Sequence, residues 1–235
     1  PQFDTGPGTA TIGFDTVGAY APGAATATPL TASSPANTLL ATAADPLFLT
    51  LFGAPPPAAD KLNVPLRSVA VFRAPDGTRA PLKGHLSVSP LEPSRVANTP
   101  PITLGQWLTA RATAKLRCTG SRGFVEIQLE HLIPHGLYTI WSVFQSPSGL
   151  FPVPMGGAPN AFVTTPQGAA RFERALSYCP FETLPSGERL AFLEVVYHSD
   201  QALYGGVPEL FAAGLPPGVV THIHVDIPIL ATPLP

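Results

Sequence analysis

Hydrophobic and polar residues alternate along the stretch QWLTARATAKLRC, which covers residues 106–118. Successive side chains of an extended chain point to opposite faces, so the two sets separate onto two sides. One side carries Leu108, Ala110, Ala112, Ala114, Leu116 and Cys118, and the other carries Trp107, Thr109, Arg111, Thr113, Lys115 and Arg117. This period of two predicts a strand that is buried on one face and wet on the other.

Similar patterns continue toward the C-terminal region. GFVEIQLEHL alternates in the same way, whereas GLYTIWSVF is apolar on both faces, as a central strand would be. NAFVTTPQGAARFERAL predicts a hairpin over Pro166–Gly168, and ERLAFLEVVYHSD and VTHIHVDIPI predict two late strands. The aromatic residues at these positions are expected in a core or interface rather than on a carbohydrate-binding surface: Trp107, Tyr138, Trp141 and Phe144. The fold class predicted is all-β, an antiparallel β-sandwich with Greek-key or jelly-roll-like connections.

The first 60 residues have a different composition. They contain no Lys, Arg or His, and the run GAATATPLTASSPANT cannot bury enough apolar surface to fold alone. We therefore expect residues 1–60 to form an extended segment that donates a strand or acts as an interaction arm. Its apolar positions are expected to pack on folded sheet in another subunit, through Ile12, Phe14, Leu47 and Phe48. Residues 61–235 then form the sandwich, with 61–100 as accessory strands and 101–235 as its core.

Composition and charge exclude some binding partners and indicate the compartment of the protein. Charged residues make up 12% of the chain and the net charge is −2, so the sequence lacks the basic stripe that nucleic-acid binding needs. No stretch reaches the ~18 apolar residues of a transmembrane helix. The chain starts at Pro1, which we interpret as a mature, secreted protein whose signal peptide has been removed. Cys118 and Cys179 are then expected to form a disulfide, with two buried free thiols as the alternative.

The histidines are the candidate metal ligands. His222, His224 and Asp226 occupy alternate positions of one predicted strand and so share a face. Antiparallel pairing of residues 190–198 with 221–229 would bring His198 close to them. Three imidazoles with Asp226 or Asp200 could bind Zn(II) or Cu(II), whereas the alternative is a solvated polar face at the rim of a sheet. His131 and His135 are weaker candidate ligands.

Three segments together resemble a group of uncharacterised secreted bacterial β-sandwich proteins. They are LIPHGLYTIW, VVYHSDQALYGGVPE and HIHVDIPI, within residues 103–230. The resemblance implies an exported β-sandwich and no particular activity. The His-x-His strand is also similar to that of copper/zinc superoxide dismutase, but six histidines do not provide a convincing ligand set for two adjacent metals.

Two classes of function follow from the sequence. The low charge and the apolar N-terminal segment favour an exported structural subunit that assembles into a homo-oligomer or polymer, because a β domain that stays monomeric usually protects its edges with charge. The alternative is a secreted metal-binding protein or metalloenzyme built on the His-x-His strand. The sequence favours the structural role and does not identify a catalytic residue.

Overall fold

The alternating segments form the strands of the protein. The computed structural model describes residues 8–11, 33–40, 43–44, 100–157, 160–198, 219–220 and 222–228. These residues contain a short helix α1 (Leu104–Trp107) and the following strands: β1 (Gly8–Thr11), β2 (Ala43–Ala44), β3 (Arg111–Thr119), β4 (Arg122–Glu130), β5 (Leu137–Ser146), β6 (Gly149–Pro154), β7 (Ala161–Val163), β8 (Ala170–Leu176), β9 (Arg189–His198), β10 (Val219–Val220) and β11 (His222–Pro228).

The strands form two antiparallel sheets packed face to face. One sheet has the order β1-β3-β4-β8, and the other has the order β11-β9-β5-β6. The free side of β5 is shared, because β6 pairs with its second half and β7 with its first three residues. A separate short pairing joins β10 to β2. The predicted all-β antiparallel sandwich is confirmed.

The core lies between the inner faces of the two sheets. Alternate residues of β3 and β4 are buried, among them Ala114, Leu116 and Ile127, and they pack toward Ile140 of β5. The predicted alternation of 110–117 is therefore confirmed residue by residue. Leu40, from the N-terminal third of the sequence, is fully buried in the same core.

The outer faces of the two sheets differ in character. The four-stranded sheet is charged outside, where Arg171 of β8 forms ion pairs with Glu126 of β4, at 3.2 Å, and with Glu173. The outer face of the five-stranded sheet is instead buried and mostly apolar, and its members are at most 6% exposed: Leu137, Thr139, Trp141, Val143, Val196 and His198. Strand β5 is therefore buried on both faces, as its composition predicts.

Two sequence predictions are corrected. The alternation predicts Trp107 on the wet face of a strand, but it ends helix α1 and is only 1% exposed, in agreement with the expectation that this aromatic residue lies in a core. The side chain of Thr103 caps this helix by accepting a hydrogen bond from the Gln106 N–H at 3.2 Å, so the strand pattern begins only at Arg111. The turn around Pro166–Gly168 is present, but the strands that it joins pair in different sheets, so it is an arch and not a hairpin.

A buried corner connects β4 to β5. The Ile133 N–H donates to the Tyr138 hydroxyl at 2.8 Å, which is the arrangement called a tyrosine corner in Greek-key sandwiches. Thr164 completes the corner, because its hydroxyl donates to the Ile133 carbonyl at 2.6 Å and accepts from the Gly136 N–H at 2.8 Å. A Cβ on Gly136 would lie 2.8 Å from the Tyr138 ring, so this position requires glycine.

The disulfide closes one end of the sandwich. Cys118 of β3 is bonded to Cys179, with their Cα atoms 5.3 Å apart, which confirms the predicted pairing. The segment that contains Cys179 crosses directly over Gly123 of β4, where a Cβ would lie 2.5 Å from the Tyr178 carbonyl oxygen. The bond therefore fastens β3, across β4, to the chain that follows β8.

Parts of the N-terminal third pack on the same chain. Strand β1 pairs with β3, from Gly8 opposite Leu116 to Thr11 opposite Thr113. Residues 36–40 form backbone hydrogen bonds with residues 102–105. The remaining N-terminal predictions lie outside the described residues, including Ile12, Phe14, Leu47, Phe48 and the accessory strands of 61–99.

Candidate functional site

The first candidate site is the buried outer face of the five-stranded sheet around His198. His198 ends β9 and is only 4% exposed. Its Nε2 lies 2.8 Å from the hydroxyl of Thr139, and that hydroxyl also accepts a hydrogen bond from Trp141 Nε1 at 2.8 Å. His198 is thus an oriented, buried imidazole rather than a rim histidine in water.

The register of β11 brings the other candidate ligands to the same strand pair. His222 lies directly opposite His198, His224 opposite Val196, and Asp226 opposite Glu194. Directly opposed residues of an antiparallel pair share a face, with Cβ atoms about 4.5–5.5 Å apart. The predicted antiparallel pairing of these strands is confirmed, and Ile227 is buried in the core as predicted.

The metal site itself remains a prediction. Within the parts of the chain whose side chains are described, no group of three His, Cys, Asp or Glu residues is placed to hold a metal ion. The side chains of His222, His224 and Asp226 lie outside that description, as does Asp200. His131 and His135 are both exposed and both have left-handed backbone, with φ of 56° and 55°.

The second candidate site is a cleft of about 540 Å³ at the end of the sandwich closed by the disulfide. We call it the disulfide-end cleft. Its apolar walls come from β5, β6, the end of β8 and the segment after it: Phe144, Phe151, Val153, Leu176, Tyr178 and Leu184. Arg122, Ser186 and Glu188 also line it, and the Ser186 hydroxyl donates to the Glu188 carboxylate.

Aromatic rings shape this cleft. Phe144 and Phe151 are stacked with centroids 5.7 Å apart, while Tyr178 meets Phe144 edge-on at 5.2 Å. The Tyr178 hydroxyl is 2.6 Å from the Ser142 hydroxyl. Burial raises the pKa of Tyr178, and the hydrogen bond with Ser142 opposes that effect in part. Tyr178 is therefore a neutral, fixed wall of the cleft at physiological pH.

Sequence reasoning missed several of these residues. The sequence predicts Thr139 and Trp141 in a central strand, and Trp141 in a core or interface, but predicts no hydrogen-bonding role for either. A hydroxyl inside an otherwise apolar strand is itself a signal, because a buried polar group needs a partner. The disulfide-end cleft had no sequence signal, since its residues come from separate strands and a loop.

Comparison of the chain with protein-family models, with curated proteins and with solved structures found no match. The resemblance to secreted bacterial sandwich proteins therefore stays a prediction. Among the residues that the structure describes, no helix has the length and apolar character needed to cross a membrane.

Proposed function

We propose that the protein is an exported structural subunit of an extracellular assembly, such as a fibre, surface layer or coat, whose copies are joined by β-strand addition and apolar contacts. The observation that carries the proposal is the pairing of β1 with β3. Among the residues that the structure describes, the four residues of β1 pair with Thr113–Leu116 of the nine-residue strand β3. A strand donated by a neighbouring copy could pair with the same edge over its full length.

Composition and the disulfide support the same function. Only 12% of the residues are charged, and β1 itself, of sequence GTAT, has no charge to prevent pairing between edges. The Cys118–Cys179 bond suits an oxidising compartment outside the cytoplasm. Because of this bond, the proposed function includes secretion of the protein.

Removal of β1 tests the proposal. Deletion of residues 1–22 should abolish higher-order assembly, as measured by sedimentation velocity and electron microscopy. Deletion of residues 1–7 is the matched control, because it leaves Gly8–Thr11 in place and should preserve assembly. A full-length protein that stays monomeric at high concentration, or a 1–22 deletion that assembles normally, would show that strand addition through β1 is not the basis of the function.

A metal-binding protein or metalloenzyme using Zn(II) or Cu(II) is the second candidate. The observation that favours it is the position of His222 opposite the buried His198. The Thr139 hydroxyl, 2.8 Å from His198 Nε2, would hold the imidazole ring in a fixed orientation, as outer partners of metal-bound histidines do. His224 and Asp226 would complete the ligand set.

Metal content tests this second candidate. Protein purified without chelator should contain Zn(II) or Cu(II), and His224→Ala should lose most of it while keeping its circular dichroism spectrum. Affinity should also fall below about pH 6, since imidazoles must be neutral to bind. His131→Ala is the control, because His131 is exposed and outside this strand pair. Absence of bound metal, and of any rise in melting temperature with added metal, would exclude the metal-binding function.

A further inference from the structure

We propose that the disulfide-end cleft binds a small aromatic carboxylate. This site is independent of the assembly and metal functions proposed above, because it lies at the opposite edge of the five-stranded sheet from β11. Its volume of about 540 Å³ falls within the range of roughly 300–1,000 Å³ that small-molecule sites occupy.

The walls select a planar, apolar ligand. Phe144 and Phe151 form one stacked pair, and the ring of Tyr178 stands at 68° to the Phe144 ring. A planar ring can therefore lie against one wall and present its edge to the other, the two arrangements that aromatic pairs prefer. Val153, Leu176 and Leu184 provide the remaining apolar surface.

The walls are also fixed in place. The Cys118–Cys179 bond anchors the residue next to Tyr178, and the hydrogen bond between Tyr178 and Ser142 ties the same segment to β5. A ligand would thus find a largely preformed site and would lose little free energy in ordering it.

The charges at the cleft favour a carboxylate. Glu188 already accepts a hydrogen bond from Ser186. Arg122 has no ion-pair partner among the described residues, and its guanidinium can donate two parallel hydrogen bonds to a carboxylate. An aromatic body with one carboxylate therefore matches both the walls and the available donor.

Three probes with the same ring test the chemistry: 2-naphthylacetate, 2-naphthaleneethanol and 2-naphthaleneethylamine. Titrations followed by intrinsic fluorescence and by calorimetry should give affinities in the order carboxylate, alcohol, amine. Arg122→Gln should weaken the carboxylate about tenfold, the equivalent of about 1.4 kcal/mol, and leave the alcohol unchanged. Glu188→Gln should leave carboxylate affinity the same or raise it.

Two tryptophan substitutions on one strand test the location. Val153→Trp fills the cleft and should abolish binding of all three probes. Leu150→Trp is the matched control, since Leu150 is 56% exposed and does not line the cleft, and it should bind normally. The proposal is overturned if no probe binds saturably, if the amine binds most tightly, or if Arg122→Gln has no effect. Arg122 is exposed, so its variant remains informative even if Val153→Trp does not fold.

Discussion

Replacing Tyr138 with Phe removes one hydroxyl from the corner between β4 and β5. The ring remains available to stack on Trp107 and Phe162, at centroid distances of 6.5 and 5.4 Å, so the packing of the core is kept. What is lost is the acceptor of the Ile133 N–H, at a residue only 1% exposed, where water has little access.

The magnitude follows from that single lost acceptor. A buried donor left without a partner costs about 1–3 kcal/mol, more than the net value of an ordinary hydrogen bond. We expect the free energy of unfolding to fall by about 2 kcal/mol. For a domain of this size that corresponds to a melting temperature lower by about 4–8 °C.

Urea denaturation followed by circular dichroism measures the effect, with Ser186→Ala as the control. The Ser186 hydroxyl is exposed and water can replace it as a partner of Glu188, so its removal should cost no more than about 1 kcal/mol. If Tyr138→Phe is no more destabilising than Ser186→Ala, the corner does not stabilise the fold.

The same tyrosine predicts a loss of stability at alkaline pH. Burial raises the pKa of Tyr138 well above its usual value of 10.0, and the nearby Tyr197 adds to the rise, while the bond from Ile133 opposes it. The unfolded chain then ionises before the folded one. Stability is complete below about pH 10 and is lost as the pH rises through the pKa of the folded state. Tyr138→Phe should show a smaller loss between pH 8 and pH 11 than the wild type.

Three further predictions concern the local structure. Thr164→Val should lower the free energy of unfolding by about 1–3 kcal/mol, because the Ile133 carbonyl and the Gly136 N–H each lose a hydrogen bond and keep only the 3.1 Å bond between them. Thr164→Ser should retain most of that stability, and urea denaturation compares the two variants. Joint replacement of Cys118 and Cys179 by Ala should cost up to about 4 kcal/mol, the loop-closure value for their separation of 61 residues, and a calorimetric scan that shows no loss would contradict this. His135→Val should cost about 1–2 kcal/mol because φ is 55° there, while His135→Asn should be close to neutral by the same scan.

The sandwich could be predicted because its strongest signals are local. Alternation along β3 and β4 and the apolar character of β5 identify which faces are buried, and the structure agrees at Ala112, Leu116 and Ile127. The alternation predicts the wrong face for Trp107 because it does not hold in the segment where the Thr103 cap starts a helix. The hydrogen bond of a single capping residue therefore determines the local structure there, in spite of the alternating pattern.

The candidate sites depend on long-range pairing, which a single sequence does not contain. The turn over Pro166–Gly168 is predicted from its own residues, but nothing local determines that β7 and β8 join different sheets. The sequence predicts that antiparallel pairing of residues 190–198 with 221–229 brings His198 close to the other two histidines, but it does not determine the register that places His222 opposite His198. The link between Tyr178 and Ser142 joins residues 36 positions apart, and no motif marks it.

The long sequence separation between β1 and β3 affects when the two strands can pair. During synthesis from the N-terminus, Gly8 emerges about 100 residues before its partner Leu116. At about 5–20 residues per second, the partner strand follows only after about 5–20 s. Pairings between distant segments are also slow to form, whereas the β3–β4 hairpin, closed by a turn of two residues, forms quickly. The strand that waits during synthesis is therefore β1, and the β3 edge is open only for the shorter time between formation of the β3–β4 hairpin and its slower pairing with β1. The concentration of neighbouring chains during that interval would decide whether the edge is closed by its own β1 or by that of another molecule.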